Sequence, residues 1–307
     1  MAHMDEPMKH DSVYYLPDLE ISTTRARTEY LLQRLAGISK YACETFPDIK
    51  VRFSRAGLKP DSFDSLKDLE KLSISRTALF GNEAVCCNGW TQALFAAGMR
   101  PGDVAQVNLG LSMSTLAMAL DQSLRALNVR SIPSGTAGLD IQIDLMKDLE
   151  VDACICTPEA MTVMADYADM KGLDIQKDLK LKLVFLVSPH PVLLPLEQKD
   201  RWGVFVRSAF GTAELGCLGY ECSSGSSLHW PDDVLIEIVD LESGRQLGPG
   251  WTGEVVVTTF DKKYPLIRFG TGRLGSYTDV PCSCGRTTNR WVKLPEKVRT
   301  GRHGLHI

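Results

Sequence analysis

The sequence predicts an α/β protein in which a doubly wound parallel sheet is followed by a smaller, mostly antiparallel β-rich subdomain. Between about residues 62 and 189, strand-like apolar runs alternate with helical segments, which is typical of βαβ units. Those runs are continuously apolar, as expected for parallel strands that are buried on both faces. After residue 211 the helical patterns disappear, and short strands joined by turn residues follow.

The predicted elements of the first region follow one another in regular order. Apolar residues between Thr28 and Phe46 recur about every 3.6 residues, which predicts an amphipathic helix, and residues 56–66 then form a loop. The predicted strands are residues 104–110, 129–133, 152–158 and 181–189. The predicted helices between them are Leu116–Leu127, Ile141–Leu149 and Ala160–Met170.

The second region is predicted to begin near residue 220. Its strands cover residues 234–240, 254–260 and 265–269, and a turn-rich segment, ESGRQLGPG, joins the first two. We therefore divide the chain into an α/β region, residues 1–220, and a β-rich subdomain, residues 221–307. A chain of 307 residues has room for one large domain or two modest ones.

Composition and charge exclude several classes of function. With 44% hydrophobic and 23% charged residues the chain is typical of globular proteins, and its net charge of -4 offers no basic surface for nucleic acid or an anionic membrane. No apolar run is long enough to span a membrane, and the N-terminal residues lack the apolar core of a signal peptide. We therefore expect a cytoplasmic protein whose nine cysteines are free thiols or metal ligands.

The spacing of four residues predicts a structural zinc site in the β-rich subdomain. Cys222 and His229 are separated by six residues, and Cys282 and Cys284 form a C-x-C pair. Three thiolates and one imidazole complete the tetrahedral set that closes a structural zinc site. Cys217 is the alternative fourth ligand if His229 points away, and ordinary partly buried thiols are the other interpretation.

The remaining paired cysteines are predicted to be core residues. Cys154 and Cys156 occupy alternate positions of one predicted strand, so both thiols face the same side of the sheet. Cys86 and Cys87 are interpreted in the same way, as small buried hydrophobic residues.

The ends of three predicted strands indicate where a ligand would bind. In open α/β sheets ligands lie beyond the carboxyl ends of the strands, and here Thr157–Pro158, Ser188–His190 and Phe210–Glu214 lie at such ends. We expect these segments to converge. The candidate binding residues are Ser188, His190, Phe210, Gly211, Thr212 and Glu214, and the candidate catalytic residues are Glu214, Cys217 and His190.

Several separated segments resemble the phenylacetate-CoA ligase branch of the adenylate-forming superfamily. These segments are AGLKPDSFDSLKDLEKL at 56–72, AAGMRPGD at 96–103, CTPEAM at 156–161, FGTAELG at 210–216, GRQLGPGWTGEVVVTT at 244–259, PLIRFGTGRL at 265–274 and CSCGRT at 282–287. The resemblance implies the N-terminal fold of an enzyme that adenylates an aryl or acyl carboxylate with ATP, after which the CoA thiol displaces AMP. It also implies the pairing of the Cys222–His229 segment with the C-x-C segment.

The same resemblance reveals departures at positions that bind ATP. The Gly/Ser/Thr-rich phosphate loop expected before residue 96 is missing, Ala213 replaces a hydroxyl residue, and Arg273 replaces an aspartate that binds the ribose hydroxyls. The SGTAG segment at 134–138 is either a substitute anion-binding loop or an ordinary βα turn. The chain also stops where the family continues into a C-terminal lid domain with the catalytic lysine, so we expect that domain to be absent.

We therefore expect a phenylacetate-CoA ligase-like protein that handles an aryl or acyl carboxylate or its CoA thioester, with its own adenylation impaired or lost. Zinc is the expected structural cofactor, while ATP and Mg²⁺ are weakly supported, although Glu214 is a suitable Mg²⁺ ligand. One alternative is an acyltransferase that moves an acyl group from a CoA thioester to a carrier protein or other acceptor, with Cys217 as nucleophile. The other is a non-catalytic binding or scaffold subunit of a complete ligase.

Overall fold

The computed structural model describes residues 12–76, 89–110, 114–194, 200–212, 214–225 and 227–297. These residues form two compact units. The first contains described residues of 12–20 and 89–231, and the second contains those of 21–76 and 232–297. The two units therefore alternate along the chain, whereas the division drawn from the sequence at residue 220 is contiguous.

Helices and strands alternate in the described part of residues 104–188, as the sequence predicts, and a run of strands follows from residue 205. The helices are α1 (Pro17–Glu20), α2 (Thr24–Thr45), α3 (Pro47–Ala56), α4 (Trp90–Ala97), α5 (Ser114–Ala126), α6 (Leu139–Asp148), α7 (Pro158–Met170) and α8 (Ile175–Asp178), with a 3-10 turn at Leu66–Lys71. The strands are β1 (Val104–Asn108), β2 (Arg130–Pro133), β3 (Ala153–Cys156), β4 (Leu183–Ser188), β5 (Phe205–Thr212), β6 (Gly216–Glu221), β7 (Leu228–His229), β8 (Val234–Val239), β9 (Gly253–Thr259), β10 (Phe269–Thr278) and β11 (Arg290–Lys297). Within this described part of the chain, none of the helices is long and apolar enough to cross a membrane.

The first unit is built on a sheet with the order β2-β1-β3-β4-β5-β6-β7. The first five strands are parallel, and β6 and β7 continue the sheet in antiparallel pairing. The parallel registers place the ends of the strands side by side: Cys156 pairs with Leu186, and Ser188 pairs with Phe210. The carboxyl ends of β3, β4 and β5 therefore lie along one edge of the sheet.

Both faces of this sheet are covered by helices, as the doubly wound prediction requires. Alternate strand residues such as Ile155 and Phe185 pack with α4 and α5, which contribute Leu94 and Leu120 to that face. The intervening residues, including Cys154 and Cys156, pack on the other face with α6 and α7. Cys154 and Cys156 are fully buried there, which confirms their prediction as core residues.

The second unit combines an antiparallel sheet, in the order β11-β10-β9-β8, with the helices α2 and α3. The hydroxyl of Thr23 accepts a hydrogen bond from the amide of Ala26 at 3.2 Å, so α2 begins four residues before the predicted helix. Leu35, Ile38 and Phe53 from these helices share one apolar core with Leu235 of β8.

One predicted strand of this unit is wrong over most of its length. Residues 265–269 were expected to be extended, but β10 begins only at Phe269. Arg268 has a φ of 52°, in the left-handed region, which interrupts an extended chain. Its amide donates to the Thr258 hydroxyl at 2.9 Å, and its side chain forms an ion pair with Glu237 of β8.

Candidate functional site

The carboxyl edge of the parallel sheet brings together the strand ends that the sequence analysis singled out. Ser188 ends β4 beside Phe210 of β5, and Thr157 follows the end of β3, the next strand in the sheet. The Thr157 hydroxyl caps α7 by accepting from the amide of Ala160 at 3.2 Å. The Ser188 hydroxyl accepts from the amide of His190 at 3.1 Å, and the side chain of His190 is exposed.

The described residues of the FGTAELG segment end β5, form a turn at 214–215 and begin β6. Gly211 lies opposite Cys217, and a Cβ atom on Gly211 would lie 2.1 Å from the carbonyl oxygen of Gly216. The Thr212 hydroxyl accepts from the amide of Leu215 at 3.2 Å, while Glu214 is half-buried within the turn. This glycine is therefore required by backbone contact, and the Thr212 hydroxyl has a structural use in the turn.

Cys217, the candidate nucleophile, is fully buried on β6. Its thiol donates a hydrogen bond to the carbonyl oxygen of Gly219 at 3.5 Å. A nucleophilic cysteine needs access to its substrate and an environment that favours the thiolate. The first condition is not met, because this side chain is fully buried.

The Ser134–Gly138 segment has the contacts of an ordinary βα turn. The amides of Ser134 and Gly135 both donate to the Val107 carbonyl at 3.2 Å, and the amide of Ala137 donates to the Ser134 carbonyl. The Asp140 carboxylate lies close to Gly138, since a Cβ there would be 2.6 Å from its Oδ1 atom. A phosphate would need amides that are not already used and no nearby carboxylate, so these contacts disfavour the anion-binding interpretation.

Other positions named in the sequence analysis lie outside the described residues. They are most of the segment where the phosphate loop was expected, including Cys86 and Cys87, together with Ala213 and the C-terminal residues 298–307. Arg273 is described: it lies on β10, where partial burial lowers the pKa of its guanidinium. The structure thus places a half-buried cation at the position where the resemblance implies a carboxylate.

Cys222, His229, Cys282 and Cys284 form a cluster of potential metal ligands. Their ligand atoms all lie within 4.8 Å of one another. Zinc bound by thiolates at about 2.3 Å in a tetrahedral site separates its ligand atoms by about 3.8 Å, so the cluster has suitable dimensions. Three of the side chains are buried and Cys284 is half-buried. This cluster contains His229 rather than Cys217, the alternative fourth ligand.

Local hydrogen bonds hold the two ligand-bearing segments in shape. In the C-x-C turn, the amide of Gly285 donates to the Cys282 carbonyl at 3.0 Å, and the amide of Cys282 donates to the Arg286 carbonyl at 3.2 Å. Gly285 has a φ of 89°, which favours glycine at this turn. The buried Arg286 guanidinium donates to the Cys284 sulfur at 3.7 Å. A cation at that distance favours the thiolate form that a metal requires.

Local contacts also hold the segment that carries Cys222 and His229. The amide of Gly225 donates to the Cys222 carbonyl at 3.0 Å, and the sulfur of Cys222 lies 3.0 Å from the Ser224 hydroxyl. His229 pairs with Tyr220 across β6 and β7, and the two rings stack with their centroids 5.8 Å apart. The imidazole is therefore held in a fixed orientation by an aromatic neighbour.

The fold is similar to that of a CoA ligase of known structure. A crystal structure of 2-hydroxyisobutyryl-CoA ligase, in an open conformation and in complex with 2-HIB-AMP and CoA, matches with a TM-score of 0.81 at 19% identity. The match covers 94% of this chain and 78% of that chain. No family model matches the sequence.

Sequence comparison with curated proteins finds relatives that share one name. The chain is 26% identical over 308 residues to a phenylacetate-coenzyme A ligase of Pseudomonas putida, which covers 86% of this chain and 70% of that protein. It is 27% identical over 316 residues to a protein of the same name from Thermus thermophilus, with 89% and 71% covered. The chain therefore resembles phenylacetate-CoA ligases over most of its length, which confirms the resemblance inferred from its motifs.

Proposed function

We propose that this chain binds an aryl or acyl carboxylate, or its CoA thioester, and that its own ATP-dependent adenylation is impaired or lost. The observation that carries the first half is the alignment of Ser188 with Phe210 at the carboxyl edge of the parallel sheet. Open α/β sheets bind ligands at this edge, and hydroxyl groups beside apolar side chains suit a carboxylate with an aromatic or aliphatic tail. The names of the curated relatives support the same class of substrate.

Two observations support the loss of adenylation. The amides of Ser134, Gly135 and Ala137 donate to backbone carbonyls, and the Asp140 carboxylate lies near Gly138, which argues against this turn as a substitute for a phosphate loop. Arg273 places a donor of positive charge where the resemblance implies an acceptor for ribose hydroxyls. Each lost hydrogen bond to a charged group costs about 1.5–3 kcal/mol, so several such losses reduce the rate by orders of magnitude.

The test is incubation of the protein with Mg²⁺-ATP, CoA and a panel of aryl and aliphatic acids, followed for AMP and thioester. We expect no AMP above the control without acid, while saturation-transfer NMR detects binding of at least one acid or thioester. Turnover at a rate typical of enzymes, about 10 s⁻¹, would overturn the loss of adenylation. Failure of every acid and every thioester to bind would overturn the binding proposal.

The two alternative functions differ in whether an acyl group is transferred to an acceptor. An acyltransferase would move label from a radioactive acyl-CoA to a carrier protein, whereas a scaffold subunit would bind a complete ligase without transferring label. The burial of the Cys217 thiol argues against a covalent route through that residue. Direct transfer from the thioester to an acceptor does not depend on this thiol.

We further propose that Cys222, His229, Cys282 and Cys284 hold a structural zinc ion. The common distance limit of 4.8 Å, the burial of three ligands and the donor beside Cys284 support this assignment. Zinc at a site with four protein ligands contributes folding free energy and has no position open for catalysis. Metal analysis of the purified protein is expected to find close to one zinc per chain, and a folded protein without metal would contradict the proposal.

A further inference from the structure

Arg27 of α2 contacts two segments that are far from it in sequence. Its Nε donates to Oδ1 of Asp232 at 3.0 Å, and the Asp232 side chain is only 1% exposed. Its Nη1 donates to the carbonyl oxygen of Thr287 at 3.0 Å, and its Nη2 donates to the Thr287 hydroxyl at 3.2 Å. That hydroxyl donates in turn to the Ser22 carbonyl at 2.7 Å, just before α2. One guanidinium therefore links Asp232, Thr287 and the start of α2.

The two segments that Arg27 contacts are continuous with the segments that carry the proposed metal ligands. Asp232 lies three residues after His229, and Thr287 lies three residues after Cys284. We propose that Arg27 is a positioning residue of the proposed zinc site, an inference that rests on the zinc proposal itself. Arg27 holds the ends of both ligand-bearing segments in place before the metal binds. Hydrogen-bonded neighbours that orient metal ligands contribute strongly to affinity, with losses of about 10–100-fold when they are removed.

The shape of the arginine side chain is essential to this role. The guanidinium is a planar fork that donates in several fixed directions, and here all three nitrogens are engaged by different acceptors. A lysine ammonium preserves the charge next to the buried Asp232 carboxylate, but as a compact point charge it does not reproduce the fork. Arg27→Lys therefore tests positioning while it avoids leaving the carboxylate without a cation.

The experiment compares the zinc-loaded full chain with Arg27→Lys, Arg25→Lys and Ile38→Val. Arg25 lies on the same helix, but its exposed side chain pairs with Glu29, so its lysine variant controls for the chemical change alone. Ile38 is buried in α2 away from the ligand-bearing segments, so its valine variant controls for a general loss of stability. The measurements are the rate of zinc release to an excess of chelator and the visible absorption spectrum of the cobalt-substituted proteins.

We expect Arg27→Lys to release zinc about 10-fold or more faster than the wild type and to alter the ligand-field bands of cobalt. Both controls are expected to keep the wild-type spectrum, and Arg25→Lys the wild-type release rate. Zinc release from Arg27→Lys no faster than from Ile38→Val, with an unchanged cobalt spectrum, would overturn the positioning role alone. A wild-type protein that binds neither metal would overturn the zinc proposal, and with it the positioning role.

Discussion

The buried Arg268 is stabilised by a backbone oxygen as well as by an opposite charge. The buried Arg268 donates to the Leu72 carbonyl at 2.6 Å as well as to the Glu237 carboxylate. Burial raises the pKa of Glu237, even though Arg268 and the Gln246 side chain counteract the shift. A buried ion pair has to offset the cost of removing both charges from water, so the additional hydrogen bonds are needed.

At the same scale, the proposed metal ligands lead to a prediction about stability. Cys222→Ser is expected to lose zinc and to lower the free energy of unfolding by at least about 2 kcal/mol, because binding of structural zinc contributes more than that. Cys43→Ser is the matched control, since Cys43 is a half-buried thiol on α2 outside the cluster. Metal content and urea unfolding of both variants provide the test. Equal stability of the two variants would contradict a structural role for the metal.

A second prediction at the residue scale concerns pH. Burial, and secondarily the Asp152 carboxylate, raise the pKa of Asp103. The folded protein therefore holds this proton more tightly than the unfolded chain, and stability is lost as pH rises through the interval between the ordinary pKa and the raised one. Asp103→Asn retains an oxygen that can accept from the Arg100 amide, which contacts Asp103 at 2.8 Å, and removes the charge.

The stability advantage of Asp103→Asn over the wild type is therefore expected to increase with pH above the ordinary pKa of the carboxyl and then to level off. Urea unfolding at several pH values between 4 and 7 measures this difference. The matched control is Asp144→Asn on α6, which removes an exposed carboxylate. An advantage that is constant over the whole range would show that the protonation of Asp103 does not differ between the folded and unfolded states.

At the scale of elements, the turn between β5 and β6 depends on close backbone contact. Gly211→Ala is expected to destabilise the protein by about 1–3 kcal/mol or more, because its Cβ would meet backbone atoms of Gly216 and Cys217 at 2.1–2.9 Å. Gly37→Ala is the matched control: Gly37 lies within α2, and a Cβ there meets nothing within 4 Å. That control is expected to gain about 0.5–1 kcal/mol. Thermal unfolding of both variants distinguishes a required close contact from a general tolerance of alanine.

The helices and strands differ in how far they could be predicted. The helices α5, α6 and α7 and the strands β1 to β4 lie close to their predicted limits, because periodic apolar residues are local signals. The strand β6 was not predicted, since GCLGYE combines two glycines with a fully buried set of side chains. The strand β11 was missed because a proline interrupts its sequence.

At the scale of the whole molecule, the proposed loss of adenylation predicts weak nucleotide binding. Titration calorimetry with ATP and Mg²⁺ is expected to show no binding in the micromolar range. Micromolar affinity that is abolished by Glu214→Gln would instead indicate a rebuilt metal and phosphate site near the β5–β6 turn. Glu221→Gln is unsuitable as a control, because the Glu221 carboxylate is buried and accepts from the Ser208 amide at 2.7 Å. Exposed Asp144→Asn serves that purpose.

A second prediction for the whole molecule concerns the place where a ligand binds. Saturation-transfer NMR with aryl acids, aliphatic acids and their CoA esters is expected to show binding that His190→Ala combined with Glu214→Ala weakens. Both residues belong to strand ends at the carboxyl edge of the sheet. Binding that survives the double substitution would place the ligand elsewhere and contradict the assignment of these residues.

Sequence alone determined the α/β class, the order of most elements, the resemblance to phenylacetate-CoA ligases and the set of four clustered Cys and His residues. Periodicity, spacing and motif order are properties of neighbouring residues, so they can be read without coordinates. The tertiary structure decided that residues 21–76 join the C-terminal strands, that the Cys217 thiol is buried and that the amides of Ser134, Gly135 and Ala137 are used. It also showed Arg27 joined to Asp232 and Thr287, contacts across 205 and 260 residues that no local pattern records, because such contacts exist only after the chain has folded.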